Sequence, residues 1–361
     1  MSTSSTCSSC CCSSSVSSAT DGAPRTLSEP REPARLLREA GRRVWWTLLA
    51  FLPLTGTGEA RACPWEASRS VEATPLPVPG EGGTVLRFGD LELVEVRRLR
   101  SRDPAFGGFS ALAFLGGRLF ALSDRGTLWR LPGALEDGRA PASARWDRCP
   151  LSTGAGVPDA ESLAASDGAL ILAAEGNHAL YRLDPDGGPD LDPLPLPHWL
   201  RAAPVNAGLE AVTQLSDGRL LLLTEGLFVA PGILRAALRT DRGFLPLRYP
   251  TTDGFVPVGA DALDSTVYVL ERRFSLFGGF ASRLRTLVLP TRPRAETLLA
   301  PRELARLEAP LPSDNFEGIA VRRGAGGVRD IYLVSDDNFS PLQATYLVRL
   351  RHRPRTSGHS G

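Results

Sequence analysis

The chain has 361 residues, with 41 basic and 40 acidic side chains, a formal net charge of +1 and 42% hydrophobic residues. This balance argues against a nucleic-acid or membrane-surface partner, because such partners select a net basic surface. All of the basic residues are Arg and none is Lys. Together with abundant Ala, Gly and Pro, this indicates a GC-rich genome, so the number of Arg residues is not itself a functional signal.

The first 62 residues differ from the rest. Residues 1–35 are mostly low-complexity sequence, and we predict that translation begins near Leu36. Residues 36–62 have the three parts of a secretory signal peptide, namely Arg42-Arg43, the apolar run Val44 to Leu54 and Ala60-Arg61-Ala62. The apolar run is too short to span a membrane. We therefore expect export to the periplasm or the medium, with lipoprotein anchoring through Cys63 as the alternative.

Residues 63–83 are rich in Pro and Glu and are predicted to be a linker or leading arm. If the signal peptide is removed, Cys63 and Cys149 are the two cysteines that remain. They could form one disulfide in an oxidising compartment. Sequence alone leaves open whether they pair.

Residues 84–352 contain five copies of a strand–turn–strand pattern with a period near fifty residues. Positions 110, 161, 210, 261 and 317 mark equivalent points. Short strands at this period predict an all-β fold, a single β-propeller of five blades, with six as the alternative. The fifth copy has three strands, so we expect residues 84–99 to supply its fourth and close the ring. Helical signals are weak, at most a turn or two near 235–238 and 304–307, and residues 353–361 are predicted to be a disordered tail.

Acidic residues recur at equivalent points of the repeat, although strands disfavour them. The leading ring is Ser110, Glu161, Glu210, Asp261 and Glu317, and the trailing ring is Asp124, Glu175, Glu225, Glu271 and Asp336. Because innermost strands surround one channel, these rings predict a cation or polar-ligand site. The alternative is that each acid caps a turn or holds neighbouring blades together.

Several segments carry a family resemblance. They include Leu122-Ser123-Asp124-Arg125-Gly126, Asp159-Ala160-Glu161, Asn315-Phe316-Glu317-Gly318 and Ser335-Asp336-Asp337-Asn338-Phe339. In this order they resemble the phytase-like family, also described as "esterase-like activity of phytase". The resemblance covers about residues 84–351. It implies an exported bacterial β-propeller and hydrolysis of phosphate esters, with calcium held by clustered carboxylates as in the β-propeller phytases.

The residues are compatible with that chemistry, since calcium takes six to eight hard oxygen ligands. The candidate calcium ligands are Glu161, Glu210, Glu317, Asp336 and Asp337. Glu317 is also a candidate catalytic residue, and Arg125 and Arg272 are candidates for orienting a phosphate. These arginines could instead form ion pairs that lock blades. The chain lacks a Gly-x-Ser-x-Gly elbow, and no two of its four His residues have zinc-ligand spacing.

These observations predict an exported, monomeric, metal-assisted hydrolase whose small-molecule substrate is a phosphate ester or a related ester. The alternative is a non-catalytic propeller that binds a small ligand or a partner at the channel mouth, with its acids serving structure.

Overall fold

Strands make up almost all of the regular structure. The computed structural model describes residues 63, 65–77, 86–133, 142–152, 156, 159–309 and 311–354. The predicted low-complexity segment, the predicted signal peptide and most of the predicted tail lie outside these residues. Within them, the helices are two short 3-10 turns, His198–Ala202 and Ala325–Gly327. No helix in the described ranges has the length and apolar character that crossing a membrane requires.

The strands form five antiparallel blades, which confirms the predicted β-propeller. From the channel outwards, the blades are β4 (Phe109–Leu115), β5 (Arg118–Ser123), β6 (Thr127–Arg130), β7 (Ser143–Pro150); β8 (Ala160–Ser166), β9 (Ala169–Ala174), β10 (Ala179–Leu183), β11 (Asp192–Leu194); β12 (Leu209–Gln214), β13 (Leu220–Ala230), β14 (Ile233–Thr240), β15 (Gly243–Pro250); β16 (Val256–Leu263), β17 (Thr266–Ser275), β18 (Gly279–Leu287), β20 (Arg302–Leu307); and β21 (Asn315–Arg323), β22 (Arg329–Asp336), β23 (Thr345–His352), β3 (Leu91–Ser101).

The ring closes through the predicted mixed blade. Strand β3 pairs antiparallel with β23, so the fifth blade takes its outer strand from the N-terminal side of the propeller. Strand β2 (Arg87–Phe88) adds a short hairpin to β3, and β19 (Thr297–Leu298) runs parallel to β15. The five innermost strands β4, β8, β12, β16 and β21 each contact the next around the ring.

Residues 66–75, which fall in the segment predicted to be a linker or leading arm, form strand β1 (Glu66–Pro75). It pairs with β3 on one side and with β7 on the other, and so joins the outer edges of blades 5 and 1. Val71 and Ala73 are buried by this pairing. Two apolar anchors among charged and polar residues are too few to stand out from a linker in the sequence.

The two segments with weak helical signals are strands, so that expectation is wrong. Residues 235–238 lie in the middle of β14, and residues 304–307 end β20. Both strands complete a blade by pairing with neighbours distant in sequence, and this tertiary pairing outweighs their local helix propensity.

The innermost strands approach one another very closely at the axis. A Cβ at Gly318 would meet the backbone of Ala111, and one at Gly259 would meet the carbonyl oxygen of Glu317. The axial space between these strands is too narrow to admit a water molecule. The propeller therefore has no open pore at this level, and ligands reach the axis from its ends.

A disulfide joins Cys63 to Cys149, with their Cα atoms 6.0 Å apart. Both cysteines are buried in the apolar cluster between blades 1 and 2, which includes Leu128 and Leu151. The bond fixes the segment that leads into β1 against β7 and spans 86 residues of sequence. A cross-link over a loop of this length restricts the unfolded chain strongly.

We predict that Cys149→Ser lowers the free energy of unfolding by about 2–4 kcal/mol, because the loop closure in the unfolded state is lost. Urea unfolding with and without reductant measures this. Cys63→Ser should have the same effect, and the double variant should lose no more than either single one. Equal stability of the oxidised wild type and Cys149→Ser would contradict the prediction.

Candidate functional site

A β-bulge occurs at the same place in all five innermost strands. In each, the register with the second strand slips by one residue near the start. The residues at the slip are Ser110, Glu161, Glu210, Val258 and Glu317. A bulge leaves its extra residue out of the ladder and re-aims its side chain. Four of the five predicted leading positions are therefore structurally equivalent.

The fifth leading position, Asp261, is wrong. The equivalent residue of blade 4 is Val258, three residues earlier. Asp261 instead accepts hydrogen bonds from the backbone N–H of Val321 (2.6 Å) and of Ala262 (2.8 Å). Burial raises its pKa to about 7, although both hydrogen bonds oppose this. Its carboxylate fastens β16 to the neighbouring innermost strand β21.

A second set of side chains lies where the second strand of each blade ends. The backbone N–H groups of Asp124, Glu175 and Glu225 donate to carbonyls at the starts of their innermost strands, at 2.8, 2.8 and 3.1 Å. In the same position, Asp336 pairs with Asn315 in blade 5. In blade 4 the equivalent residue is Arg272, which pairs with Val256, and not Glu271.

The placement of Glu271 in the trailing ring is also wrong. Side chains alternate along a strand, so Glu271 and Arg272 point to opposite faces of β17. Glu271 is fully buried and accepts a hydrogen bond from the Tyr249 hydroxyl at 2.7 Å. It also pairs with Arg283 and with Arg285. This carboxylate holds blades 3 and 4 together.

Arg272 is the centre of an ion-pair network at the end of the channel, which we call the mouth. Its guanidinium pairs with Glu317 and, at 3.1 Å, with Glu225. It also donates to the side-chain oxygen of Asn315 at 2.7 Å. The Asn315 amide in turn donates to Glu317 at 2.9 Å and to Asp336 at 3.4 Å. Blades 3, 4 and 5 are thus linked around one partly exposed cation.

The other side of the mouth has carboxylates without such a cation. The carboxylate oxygens of Asp159, Glu161 and Glu175 come within 4.8 Å of one another. Glu210 joins them through a hydrogen bond with Glu175. Among the residues that the structure describes, no arginine forms an ion pair with any of these four. The eight mouth carboxylates are Asp124, Asp159, Glu161, Glu175, Glu210, Glu225, Glu317 and Asp336.

Crowding of like charges in a partly dry site raises the pKa of several mouth carboxyls. Burial raises the pKa of Glu161 to about 9, and the charges of Glu317 and Glu175 add to the effect. Burial likewise raises the pKa of Glu317 to about 8 against the opposing charge of Arg272. The pKa of Asp336 rises to about 6, and that of Glu210 lies well above its usual range. At neutral pH these carboxyls hold protons unless a cation replaces them.

The structure brings four of the five predicted metal ligands, Glu161, Glu210, Glu317 and Asp336, into the mouth. It gives Asp337 a different task. One oxygen of Asp337 accepts from the backbone N–H of Gly108 (2.9 Å) and of Phe339 (3.1 Å), and the other accepts from the Thr345 hydroxyl (2.9 Å). Its carboxylate clamps blade 5 to blade 1 and leaves little capacity for a metal.

Arg125 lies at the rim of the mouth. Its side chain is exposed, and the guanidinium carbon stacks 3.4 Å from the centroid of the Phe339 ring. It forms no ion pair within the described part of the chain. Its guanidinium hydrogen-bonding groups therefore remain available to an anionic ligand.

Two mouth residues, Asp159 and Asn315, were not among the predicted ligands. Both stand two residues before a bulged glutamate, in Asp159-Ala160-Glu161 and Asn315-Phe316-Glu317. Because the bulge brings residues i and i+2 to the same end of the channel, this spacing is the signal that could have identified them. With Glu161 and Glu175, Asp159 offers the hard oxygen donors that calcium prefers.

The fold and the mouth define a class of protein, a five-bladed β-propeller with a carboxylate-lined site on its axis. The chain belongs to the phytase-like family, whose sequence model, described as "esterase-like activity of phytase", matches residues 104–339. The matched region begins just before blade 1 and ends at Phe339, directly after the mouth residue Asp336.

No protein of curated function matches the chain in sequence. Similar solved structures include the PQQ-bound aldose sugar dehydrogenase of Streptomyces coelicolor, at 14% identity over 72% of this chain and 98% of that one (TM-score 0.38). They also include the α-L-arabinofuranosidase PaAbf62A of Podospora anserina in complex with cellotriose, at 12% identity over 80% and 98% (TM-score 0.43). These similarities are remote and support no statement about ligand or reaction.

We predict that, in chelator, the free energy of unfolding falls as pH rises from about 5 to about 9. The mouth carboxyls have raised pKa values in the folded state, so the native protein holds protons that the unfolded chain has already released. Their stabilising contribution is complete below the unfolded pKa near 4.5 and is lost as pH passes through about 8 and 9. Urea unfolding at pH 5, 7 and 9 measures it.

Glu210→Gln removes one of these carboxyls while keeping its shape, and should flatten the decline. The matched control is Glu72→Gln, at an exposed glutamate of β1. Stability in chelator that stays constant or rises across this range would contradict the interpretation of the mouth.

Proposed function

We propose that this protein is an exported, metal-assisted hydrolase of phosphate esters or related esters, with its active site at the mouth. The observation that carries the proposal is the group Asp159, Glu161 and Glu175, whose oxygens lie within 4.8 Å without a neutralising arginine in the described chain. Such a group is costly to maintain for stability alone. It suits a hard divalent cation such as calcium.

Asp159, Glu161 and Glu175 would hold the cation, with Glu210 beside them. A bound divalent cation would polarise an ester oxygen and lower the pKa of a water ligand. Glu317 lies on the opposite side of the mouth, and burial raises its pKa to about 8. A carboxyl that titrates near neutral pH is suited to accept or donate the proton that ester hydrolysis requires.

The two predicted arginines would have different roles. Arg272 is fixed between Glu225 and Glu317, so it orients Glu317 and offsets part of the negative charge of the mouth. Arg125 is exposed and stacked on Phe339, where its planar fork could grip the oxygens of a phosphate that enters from solvent. Asp337 positions the start of blade 1 and is no longer a candidate ligand in this proposal.

Two observations support export. The sequence has a signal-peptide pattern at residues 36–62. The disulfide between Cys63 and Cys149 is of a kind that persists in oxidising compartments and is rare in the cytosol.

The second candidate function is a non-catalytic propeller that binds a small ligand at the same mouth. It is favoured by the acids that serve structure, namely Asp261, Glu271 and Asp337. If the remaining acids only bind, a ligand would associate at the mouth without turnover.

We predict that calcium stabilises the folded protein. Calcium at about a hundred times its Kd should add roughly 2.7 kcal/mol, which raises the melting midpoint by about 5 °C for a domain of this size. Chelator should reverse the shift. Thermal unfolding at pH 7.5 measures it.

Glu161→Gln should blunt the shift, because it removes a ligand, whereas Glu72→Gln should leave it intact. The same midpoint in chelator and in millimolar calcium, magnesium or manganese would remove the metal site from the proposal.

We predict that the purified protein hydrolyses p-nitrophenyl phosphate or p-nitrophenyl acetate with calcium, and loses the activity in chelator. The double variant Glu317→Gln, Asp336→Asn should reduce kcat/KM by about a hundredfold or more, because it removes proton transfer and charge at the mouth. The matched control is Glu303→Gln, Asp253→Asn, which alters two half-exposed carboxylates that pair with Arg306. Absence of turnover together with calcium-dependent stability would favour the binding module.

A further inference from the structure

Exposed apolar side chains are concentrated at one end of the propeller. In the part of the chain that the structure describes, nine large apolar residues are exposed. Seven of them belong to segments at the mouth end, namely Val205, Phe228, Val229, Phe274, Leu276, Phe277 and Leu342. The other two, Val288 and Leu298, lie between β18 and β20, a connection that leaves the opposite end. Apolar groups scattered at random would not show this asymmetry.

Two extended hairpins carry most of these side chains. Strand β13 continues for five residues beyond Glu225 and returns in β14, with Phe228 paired to Leu234 and Ala230 to Ile233. Strand β17 continues beyond Arg272 and returns in β18, with Phe274 paired to Phe280 and Ser275 to Gly279. At about 3.3 Å per residue, each hairpin projects roughly 10–15 Å past the mouth. We call these projections the blade 3 and blade 4 tips.

The tips have a composition unlike the rest of the surface. Residues 226–234 and 274–281 contain no charged side chain. Phe277 is fully exposed and Leu276 is 88% exposed, so neither packs against the propeller. Leu342 in the blade 5 connection, at 94% exposure, adds a third projecting apolar group at the same end. Narrow apolar projections of this kind are suited to a soft, deformable apolar phase more than to a flat protein surface.

We propose that the mouth end docks on a zwitterionic lipid surface, with Leu276 and Phe277 of the blade 4 tip and Phe228 of the blade 3 tip inserted among the head groups and upper acyl chains. Apolar side chains that lie 5–10 Å deep in the interface bind peripheral proteins reversibly. Charge complementarity favours phosphatidylcholine over anionic lipid, because the mouth between the tips has eight carboxylates and only Arg272 paired within it. Net charge alone does not reveal this surface, because the tips carry no charge.

The test is co-sedimentation of the full chain with phosphatidylcholine vesicles in chelator. Wild type should bind, and the double variant Leu276→Ser, Phe277→Ser should bind about a hundredfold more weakly, because each buried Leu or Phe contributes a factor of roughly ten or more. The matched control Val288→Ser, Leu298→Ser, at the opposite end, should bind like wild type. The apolar run Val44 to Leu54 is present in every variant, so the differences between variants isolate the tips.

Two further measurements keep the test decisive. Thermal unfolding should show equal stability of the tip variant and wild type, since both replaced side chains are almost wholly exposed. Vesicles of phosphatidylglycerol should bind wild type more weakly than phosphatidylcholine in chelator. Wild type that does not sediment with phosphatidylcholine, or a tip variant that binds equally well, would overturn the proposal. So would concentration-dependent self-association that the tip variant abolishes, because the tips would then cover a second copy of the chain.

Discussion

The β-bulge that opens every innermost strand is the constraint on which the mouth depends. In a regular strand, side chains alternate, and Glu161, Glu210 and Glu317 would have to share a face with the apolar residues that pack blade on blade. The bulge breaks the alternation by one residue and releases these side chains from the ladder. Because it recurs at the same place in all five blades, three carboxylates, Ser110 and Val258 converge on the axis. The residues that end the second strands then complete the site.

This convergence works against stability, and the rest of the molecule compensates. Arg272 offsets Glu225 and Glu317, but the side with Asp159, Glu161 and Glu175 has no equivalent cation among the described residues. Stability comes from elsewhere: the apolar clusters between blades, the closure of β3 on β23, and the buried pairing of Glu271 with Arg283 and Arg285. Charge that is costly to fold and unrelieved by the chain itself is characteristic of functional sites.

The fold could be predicted from sequence because the period near fifty residues and the strand pattern survive in every blade, and because the fifth copy visibly lacks a strand. The site could be predicted only in part. Blade 4 has acids at Asp261 and Glu271 with nearly the expected spacing, yet the register places Val258 and Arg272 in the mouth. A one-residue slip exchanges the two faces of a strand, and spacing alone does not show where a bulge falls. Asp337 was misassigned for a related reason, because adjacent residues of a run point in different directions and only Asp336 faces the mouth. Strand β1 was hidden because it has only two buried apolar residues.

The central claim is that the mouth carboxyls hold protons which a divalent cation displaces. Calorimetric titration of calcium at pH 7 in two buffers that differ in ionisation enthalpy tests this most directly, because the difference in observed heat counts the protons released. The account predicts that each calcium bound releases at least about one proton, since the pKa values of Glu161 and Glu317 lie near 9 and 8. Calcium binding with the same heat in both buffers, or no binding at all, would contradict it.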